Sequence, residues 1–360
     1  MINKEELEWG KYRKYIGKKR LVLIIAGLAT IIIALFATGM GSIPVPINEI
    51  IKTIFGRGTS DQFQVVIMGI RLPRIVGGIL VGGILATSGA IMQCVLRNPL
   101  ASATTLGVSQ GAAFGAAIGI VVFSGGVINS PSASEVITIS NFYIVTLCAF
   151  LGGFISTIVV IAISQIKRDI GPSGIILAGV ALSTLFAGGS TLLQYFADET
   201  KIGTIVFWTF GNLGTTNWKE LFILLIVFLA ALLYYIFNSW NYNAMESGED
   251  LAKSLGVNTR LTMLISLTIC SFTTAVAVSF VGIINFVGLI APHIMRRFVG
   301  NDYRYLIPSS AILGALLLIL ADTFGRTIIA PVILPIGAIT SFLGAPVFLI
   351  ILFKKGEKYG

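Results

Sequence analysis

Apolar residues in this chain come in long unbroken blocks, separated by short polar or charged interruptions. The clearest block opens after Arg71, Leu72, Pro73 and Arg74 and runs from Ile75 through Val95 without a charge. That is long enough for the ~20 residues a helix needs to cross a hydrocarbon core. Within it Gly78, Gly82, Ala86 and Ala90 fall four residues apart, so one helix face carries almost no bulk and another backbone can approach it closely. The crossing is expected to end at Arg97, Asn98 and Pro99, because proline lacks a donor and pushes the residue before it out of the helical region.

The same pattern places a first span at Leu21 to Met40, then an external loop from Gly41 to Gln64 that holds Pro44, Pro46, Gly56 and Gly58, with a short helix around Ile47 to Phe55. A third span is expected near Leu106 to Phe123, followed by a polar loop, Ser124 to Asn141, whose one charge is Glu135. The fourth span, Phe142 to Gln165, ends at Lys167, Arg168 and Asp169; the fifth, Gly174 to Phe196, ends at Asp198 and Glu199. Residues 202–218, with Trp208, Gly211, Gly214 and Trp218, read as an external or interfacial segment. Leu221 to Phe237 and Leu261 to Ile284 form the sixth and seventh spans. Phe286 to Val299 is a short span kinked at Pro292, with Arg296 and Arg297 at its inner end, and Leu306 to Gly325 and Ile336 to Phe353 complete the set. Lys4, Lys11, Arg13, Lys14, Lys18, Lys19 and Arg20 put the N-terminus in the cytoplasm, and Lys354, Lys355 and Lys358 put the C-terminus there too. The expected fold is an all-α integral membrane protein of about ten transmembrane helices. It comprises a basic tail, 1–20, one transmembrane domain, 21–353, and a short cytoplasmic tail, 354–360.

Composition removes the soluble alternatives, since 55% of the 360 residues are hydrophobic and 11% are charged. The net charge of +9 is an orientation signal and implies no nucleic-acid partner, because most basic residues lie at span ends. Cys94, Cys148 and Cys270 each sit in an apolar run without metal or redox spacing, and the single histidine, His293, rules out a multi-histidine metal centre. Gly107 to Gly111 spells GxSxG, but in a run of small apolar residues with only His293 to act as base, so hydrolase chemistry ranks third among the readings. No GxxxxGK[ST] occurs, so any ATP is bound elsewhere.

Two places remain chemically suggestive. Asp322 is the only acid well inside an expected span, with Arg326 as its i,i+4 partner; a structural ion pair is the plain reading. Yet Arg71, Arg74 and Arg326 all fall on the outer side, where the charge rule alone would not put them, and an acidic external partner would explain them. The polar stretch Asn238 to Arg260 contains SGEDLAKSLG. Ser247 followed by Asp250 resembles a capping box, Glu249 and Asp250 suit a helix start, and Gly256 suits its end. A short helix there would put Leu251, Ala252 and Leu255 on one face, either as a docking surface or as a loop helix folded on its own spans.

RLPR at Arg71, SGAIMQ at Ser88, RNPLA at Arg97, LGVSQGA at Leu106, LAGVAL at Leu177, GEDLAKSLGV at Gly248, FVGLIAPHIMRR at Phe286 and LPIGAITSFLGAPVF at Leu334 occur in this order. Together they closely resemble the FecCD, or BtuC-like, permeases of bacterial type II ABC importers for iron-siderophores, haem and cobalamin. The resemblance implies a multi-pass permease of the bacterial cytoplasmic membrane that makes no bonds itself. It pairs with a second copy or a homologous permease and sits on two ATP-binding cassette subunits, which carry the ATP and magnesium, so this chain needs no cofactor. An extracytoplasmic binding protein is implied to dock on Arg71, Arg74 and Arg326. The inner gate carries over to Asn98, Leu100 and Ser173, and ATPase coupling to Ser247, Glu249, Asp250, Leu251, Ala252, Leu255 and Gly256, within about 245–258. Where family members often continue RNPLA with Asp-Pro, this chain has Ser102 and Ala103, which implies a less rigid gate loop. The expected cargo is a ferric siderophore or haem. Cobalamin is the alternative within the family, and an ion-coupled secondary transporter is the alternative outside it, disfavoured by the missing carboxylate relay.

Overall fold

The computed structural model describes residues 4–41, 45–56, 58, 60–123, 141–166, 171–330 and 332–356. Among these every regular element is helical: α1 (Lys4–Gly39), α2 (Ile47–Ile54), α3 (Asp61–Gln64), a π-helical segment (Val65–Arg71) leading into α4 (Leu72–Val95), α5 (Val108–Val121), α6 (Phe142–Ile166), α7 (Pro172–Tyr195), α8 (Glu199–Thr209), α9 (Trp218–Phe237), α10 (Ser239–Glu246), α11 (Glu249–Ser254), α12 (Thr259–Val281), α13 (Val287–Val299), α14 (Tyr303–Thr327) and α15 (Ile336–Gly356). Seven helices are long and apolar enough to cross a membrane: α1, the rod Asp61–Val95, α6, α7, α9, α12 and α14. Val108–Val121 and Ile336–Ile350 are shorter apolar helices, and α13, thirteen residues with Pro292 inside, fills the remaining expected place.

The rod ending in α4 is the axis of the bundle. In its most apolar window 89% of residues are buried by the protein itself, against 17% for α1 and 11% for α7, so α4 faces protein on all sides while α1 and α7 present apolar side chains outward. It packs on α14, α12, α13 and α9. The stripe of small residues explains how. A Cβ on Gly82 would overlap the backbone of Gly314 in α14, and one on Gly89 the backbone of Gly288 in α13. Helices in lipid gain little from excluding water, so this backbone contact supplies dispersion attraction that bulkier pairs could not. The pair α5 and α6 is packed as closely, with Gly111 against Gly152 and Gly115 against the backbone of Cys148.

Several boundaries differ from the expectation. Residue 20 is not a boundary, because the tail and first span form one helix. Its Lys19 is buried, with Nζ 4.4 Å from the centre of the Tyr15 ring and 3.9 Å from Asp302, so a charge there is matched without breaking the helix. The second span begins at Asp61, fourteen residues before Ile75: the π-helical segment lies immediately before Pro73, where the missing proline donor leaves i→i+4 bonding incomplete and a wider turn is accommodated. Residues 202–218 hold no interfacial loop at first; Asp198 caps α8 by accepting from Lys201 N at 2.9 Å, and Trp208 is buried against the α5 and α6 side instead of marking the boundary. The expected short helix after the first span is present as α2. The expectations that fall on Pro44, on residues 124–140 with Glu135, on Lys167, Arg168 and Asp169, and on Lys358 lie outside the described residues.

Because Gly82 meets backbone, Gly82→Ala is expected to destabilise the fold by about 1–3 kcal/mol. Gly27→Ala on α1, where nothing lies within 4 Å, should leave it unchanged. Thermal unfolding of the two variants in detergent, side by side with the unaltered chain, checks the difference.

Candidate functional site

At the end of the bundle read as external, two of the three arginines, Arg71 and Arg326, converge on the C-terminus of α1, and Arg74 joins them through Asp322. A helix leaves its last carbonyls without internal partners and carries negative partial charge there. Arg71 Nη1 donates to Thr38 O at 2.9 Å and Gly39 O at 3.1 Å, and Arg326 donates to Met40 O at 3.1 Å and Ala37 O at 3.2 Å. Asp322 supplies the counter-charge. Its Oδ1 accepts from Arg74 Nε at 2.8 Å and its Oδ2 from Arg326 Nε at 2.9 Å, with the carboxylate itself 2% exposed. The pairing with Arg326 was legible as i,i+4; the bond to Arg74 crosses from α14 to α4 and was not. Arg71 and Arg74 are buried. Arg74 and Arg326 share the one carboxylate while Arg71 and Arg326 share the end of α1, so three guanidinium groups face one counter-charge and α1, α4 and α14 are tied to one another.

At the opposite end α4 stops at Val95, and Leu96 caps it. Arg97 then adopts φ 48°, a left-handed conformation uncommon for a residue with a side chain. Asn98 is half-buried and its Oδ1 accepts from Leu100 N at 2.8 Å, while Ala101 N donates to Asn98 O at 3.0 Å, which makes residues 97–101 one tight turn. Leu100 is exposed. Ser173, in the first turn of α7 next to Pro172, is exposed as well. The turn continues into a hydroxyl network: Ser102 Oγ and Thr104 Oγ1 lie 2.7 Å apart, and Thr105 Oγ1 accepts from Ser102 N at 3.0 Å and donates to Ser102 O at 2.7 Å. Ser102 and Ala103 therefore do not leave the loop slack, because side-chain hydroxyls hold it where a proline would have stiffened it.

The expected coupling helix exists as α11, preceded by α10. The cap at Ser247 does not. Ser247 ends α10 and its Oγ donates to Asn243 O at 3.1 Å, so its hydroxyl is spent backward and Gly248, at φ 126°, opens α11. Leu251, Ala252 and Leu255 do not share a face either. Ala252, the smallest of the three, packs inward and is fully buried, while Leu251 and Leu255, one turn apart, are 50% and 65% exposed. Gly256, at φ 83°, ends the helix, with Val257 N donating to Ala252 O at 2.9 Å. Glu249 is bound by Lys253 at 2.9 Å and by Arg97 at 3.4 Å. The hydrogen bond from Lys253, and then the charges of Lys253 and Arg97, hold its carboxyl below the ordinary glutamate range against the opposing effect of partial burial. Asp250 beside it is exposed.

A second polar cluster, not singled out from the sequence, anchors α10. Arg296 of α13 donates to Gln93 of α4; Tyr303 OH donates to Glu246 Oε2 at 3.2 Å, and Asn301 Nδ2 to Glu246 Oε1 at 3.0 Å. Two of its members, Gln93 and Arg296, fall at the ends of the SGAIMQ and FVGLIAPHIMRR motifs. The GxSxG serine, Ser109, is buried in the first turn of α5, which packs on α6, α7, α8 and α12; His293 rides on α13, which packs on α14 and α4. Cys94 and Cys270 are buried and Cys148 is half-buried, all as free thiols.

Similarity to known proteins follows this geometry. The FecCD transport family model matches residues 28–354. The chain is 47% identical over 348 residues to protein MJ0087 of Methanocaldococcus jannaschii, named as an ABC transporter permease, covering 97% of this chain and 98% of that one. It is 31% identical over 339 residues to the hemin transport system permease HmuU of Yersinia pestis, covering 94% and 97%. It is 35% identical over 346 residues to the iron(3+)-hydroxamate import permease FhuB of Bacillus subtilis, covering 96% and 85%. A solved inward-facing structure of a protein described as a metal-chelate type ABC transporter superposes with a TM-score of 0.79 at 31% identity, over 93% of this chain and 99% of that one. With nearly its whole length matched in motif, fold and family model, this multi-pass chain belongs to the FecCD transport family of ABC transporter permeases.

Proposed function

We propose that this chain is the membrane-spanning half of an ATP-driven importer that carries a ferric chelate, a siderophore or haem, into the cell. The observation that carries the reading is α11: a six-residue helix with Leu251 and Leu255 exposed on one side and Arg97 of the gate turn bound on the other. A helix that short does not persist in water without a partner, and two exposed leucines flanked by Glu249 and Asp250 suit a groove on an ATPase subunit. The iron cargo is supported by relatives named for haemin, iron(3+)-hydroxamate and iron(3+)-citrate transport. The membrane in question is the cytoplasmic one.

Transport then proceeds by movement alone. The binding protein is drawn to the net-positive cluster of Arg71, Arg74 and Arg326, an attraction that acts through the field of these buried groups and weakens with salt. ATP-driven closure of two ATPase subunits moves α11, and the turn at Asn98 and Leu100, with Ser173 at the start of α7, opens or closes the inner end. A second permease covers the outward face of α7, where Leu177, Leu185 and Leu192 are 65–70% exposed. Beside that face Thr184 and Thr191 bond their own helix carbonyls and stand among Ala181, Gly188 and Gly189, so a pathway along α7 offers a passing chelate few free polar groups. Such a surface holds cargo weakly and lets it go.

Radioactive iron, supplied as several siderophores and as haem, is expected to enter cells carrying this chain and to stop entering when it is deleted, with recovery on complementation. Unchanged uptake of every iron ligand sinks the cargo assignment, and cobalamin becomes the next compound to assay. Separately, Leu251→Asp with Leu255→Asp should abolish co-purification of the ATPase subunits while leaving thermal stability within about 0.5 kcal/mol of the parent, because both side chains already face solvent. Retention of the ATPases by this double variant would remove α11 from the interface.

A further inference from the structure

The coupling segment is fastened at one end and loose at the other. α10 buries Ser239, Tyr242 and Met245, with Tyr242 OH 2.8 Å from Ser266 Oγ of α12. Asn243 Oδ1 accepts from Tyr303 N at 2.8 Å and Glu246 accepts from Tyr303 OH, which ties the same helix to α14. α11 buries only Ala252. Between them stands Gly248, whose φ of 126° excludes most side chains and which has open space where a Cβ would be. With no side chain to restrict it, this residue is the joint about which α11 can tilt while α10 stays put.

Across that joint α11 holds the gate turn. Arg97 Nη1 lies 3.4 Å from Glu249 Oε2, with both side chains roughly two-fifths exposed. Behind the pair is a cavity of about 220 Å³ bordered by Arg97, Glu249, Thr259, Arg260 and the α7 start at Gly171 and Pro172. The ion pair therefore bridges an opening and is not backed by packed side chains. A pair of this exposure contributes little to stability. What it does is join: the turn that follows Arg97 is hydrogen-bonded through to Ala101, so a pull on the guanidinium is felt at Asn98 and Leu100 together. One cavity thus gathers the end of α4, the start of α7 and the start of α11.

We propose that the Arg97–Glu249 ion pair is the strap by which a tilt of α11 about Gly248 draws the turn Arg97–Leu100 and sets the state of the inner gate. Arg97 is in this sense a positioning residue for transport, acting through Asn98 and Leu100. The inference rests on the reading of the chain as an ATPase-driven permease.

The test uses the full-length chain with its natural partners, isolated through a tag on this chain, alongside iron uptake in the same cells. Arg97→Glu places like charges together. It is expected to retain the ATPase subunits and their ATP hydrolysis while lowering uptake about fivefold or more. Arg97→Glu combined with Glu249→Arg should restore most of the uptake, which a merely structural arginine would not do. Gly248→Val, which leaves both charges in place but cannot hold a φ of 126° without strain, should displace α11 and lower uptake as well. Full uptake in both Arg97→Glu and Gly248→Val overturns the strap, as does loss in Arg97→Glu with no recovery in a charge-swapped chain that still holds its ATPases. If the unaltered chain brings down no ATPase, the transporter reading itself fails and the strap falls with it; if it does and Arg97→Glu changes nothing, the strap alone fails.

Discussion

Contact between backbones at the centre of the bundle is the constraint from which the rest follows. In lipid there is little gain from hiding one apolar surface against another, so helices must either bond through polar groups or come close enough for dispersion to act over long stretches. α4 takes the second course, with Gly82 against Gly314 and Gly89 against Gly288. Once α13 and α14 are seated on it, the polar groups at both ends of α4 are brought within reach of partners far away in sequence. Arg74 meets Asp322 at one end, and Gln93 meets Arg296 at the other. Neither contact could form if the helices stood a side chain's width further apart.

The two ends that result are chemically unlike. The outer end is a closed electrostatic knot in which guanidinium groups complete the last turn of α1 and a single buried carboxylate balances part of their charge. Removing one member of such a knot leaves charge stranded in a poor solvent for it, so the cluster is intolerant of piecemeal change. The inner end is open and built from short pieces: a tight turn after α4, the brief helices α10 and α11, and a half-length α13. The two ends of the bundle thus differ in kind, with a cross-braced knot at one and short, jointed elements at the other.

Much of this was legible before any coordinates. The blocks of apolar residues located the spans because hydrocarbon demands unbroken apolarity, and of the four-residue series from Gly78 to Ala90, Gly82 and Ala86 do meet Gly314 of α14, while the contact with α13 is made by Gly89, outside the series. What the sequence hid falls into two kinds. Continuity was misjudged where charge did not mean exposure: Lys19 is buried because aromatic rings and Asp302 receive it, and the helix passes residue 20 without a break. Local roles were misjudged where neighbours compete. Ser247 reads as a cap, but α10 ends on it and takes its hydroxyl; Ala252 reads as a companion of two leucines, but its small size lets it be the residue that faces the bundle. The bonds from Arg74 to Asp322 and from Arg97 to Glu249 link distant parts of the chain, and one sequence holds no record of which distant residues meet.

The π-helical segment Val65–Arg71 bears on how relatives of this chain should be aligned. A π turn holds one residue more than the α-helical turn it replaces, and each residue of a helix turns the chain by about 100°. Downstream, α4 is locked by its glycine contacts and cannot rotate to absorb a change. A relative with one residue fewer between Val65 and Arg71 would therefore replace the wide turn by an α-helical one while the helix on either side keeps its facing, so that the apolar cluster of Ile50 and Ile67 need not come apart. A single-residue gap at this point in an alignment is thus absorbed within the rod, whereas the same gap inside α4 would turn Gly82 or Gly89 away from its backbone partner by about 100°.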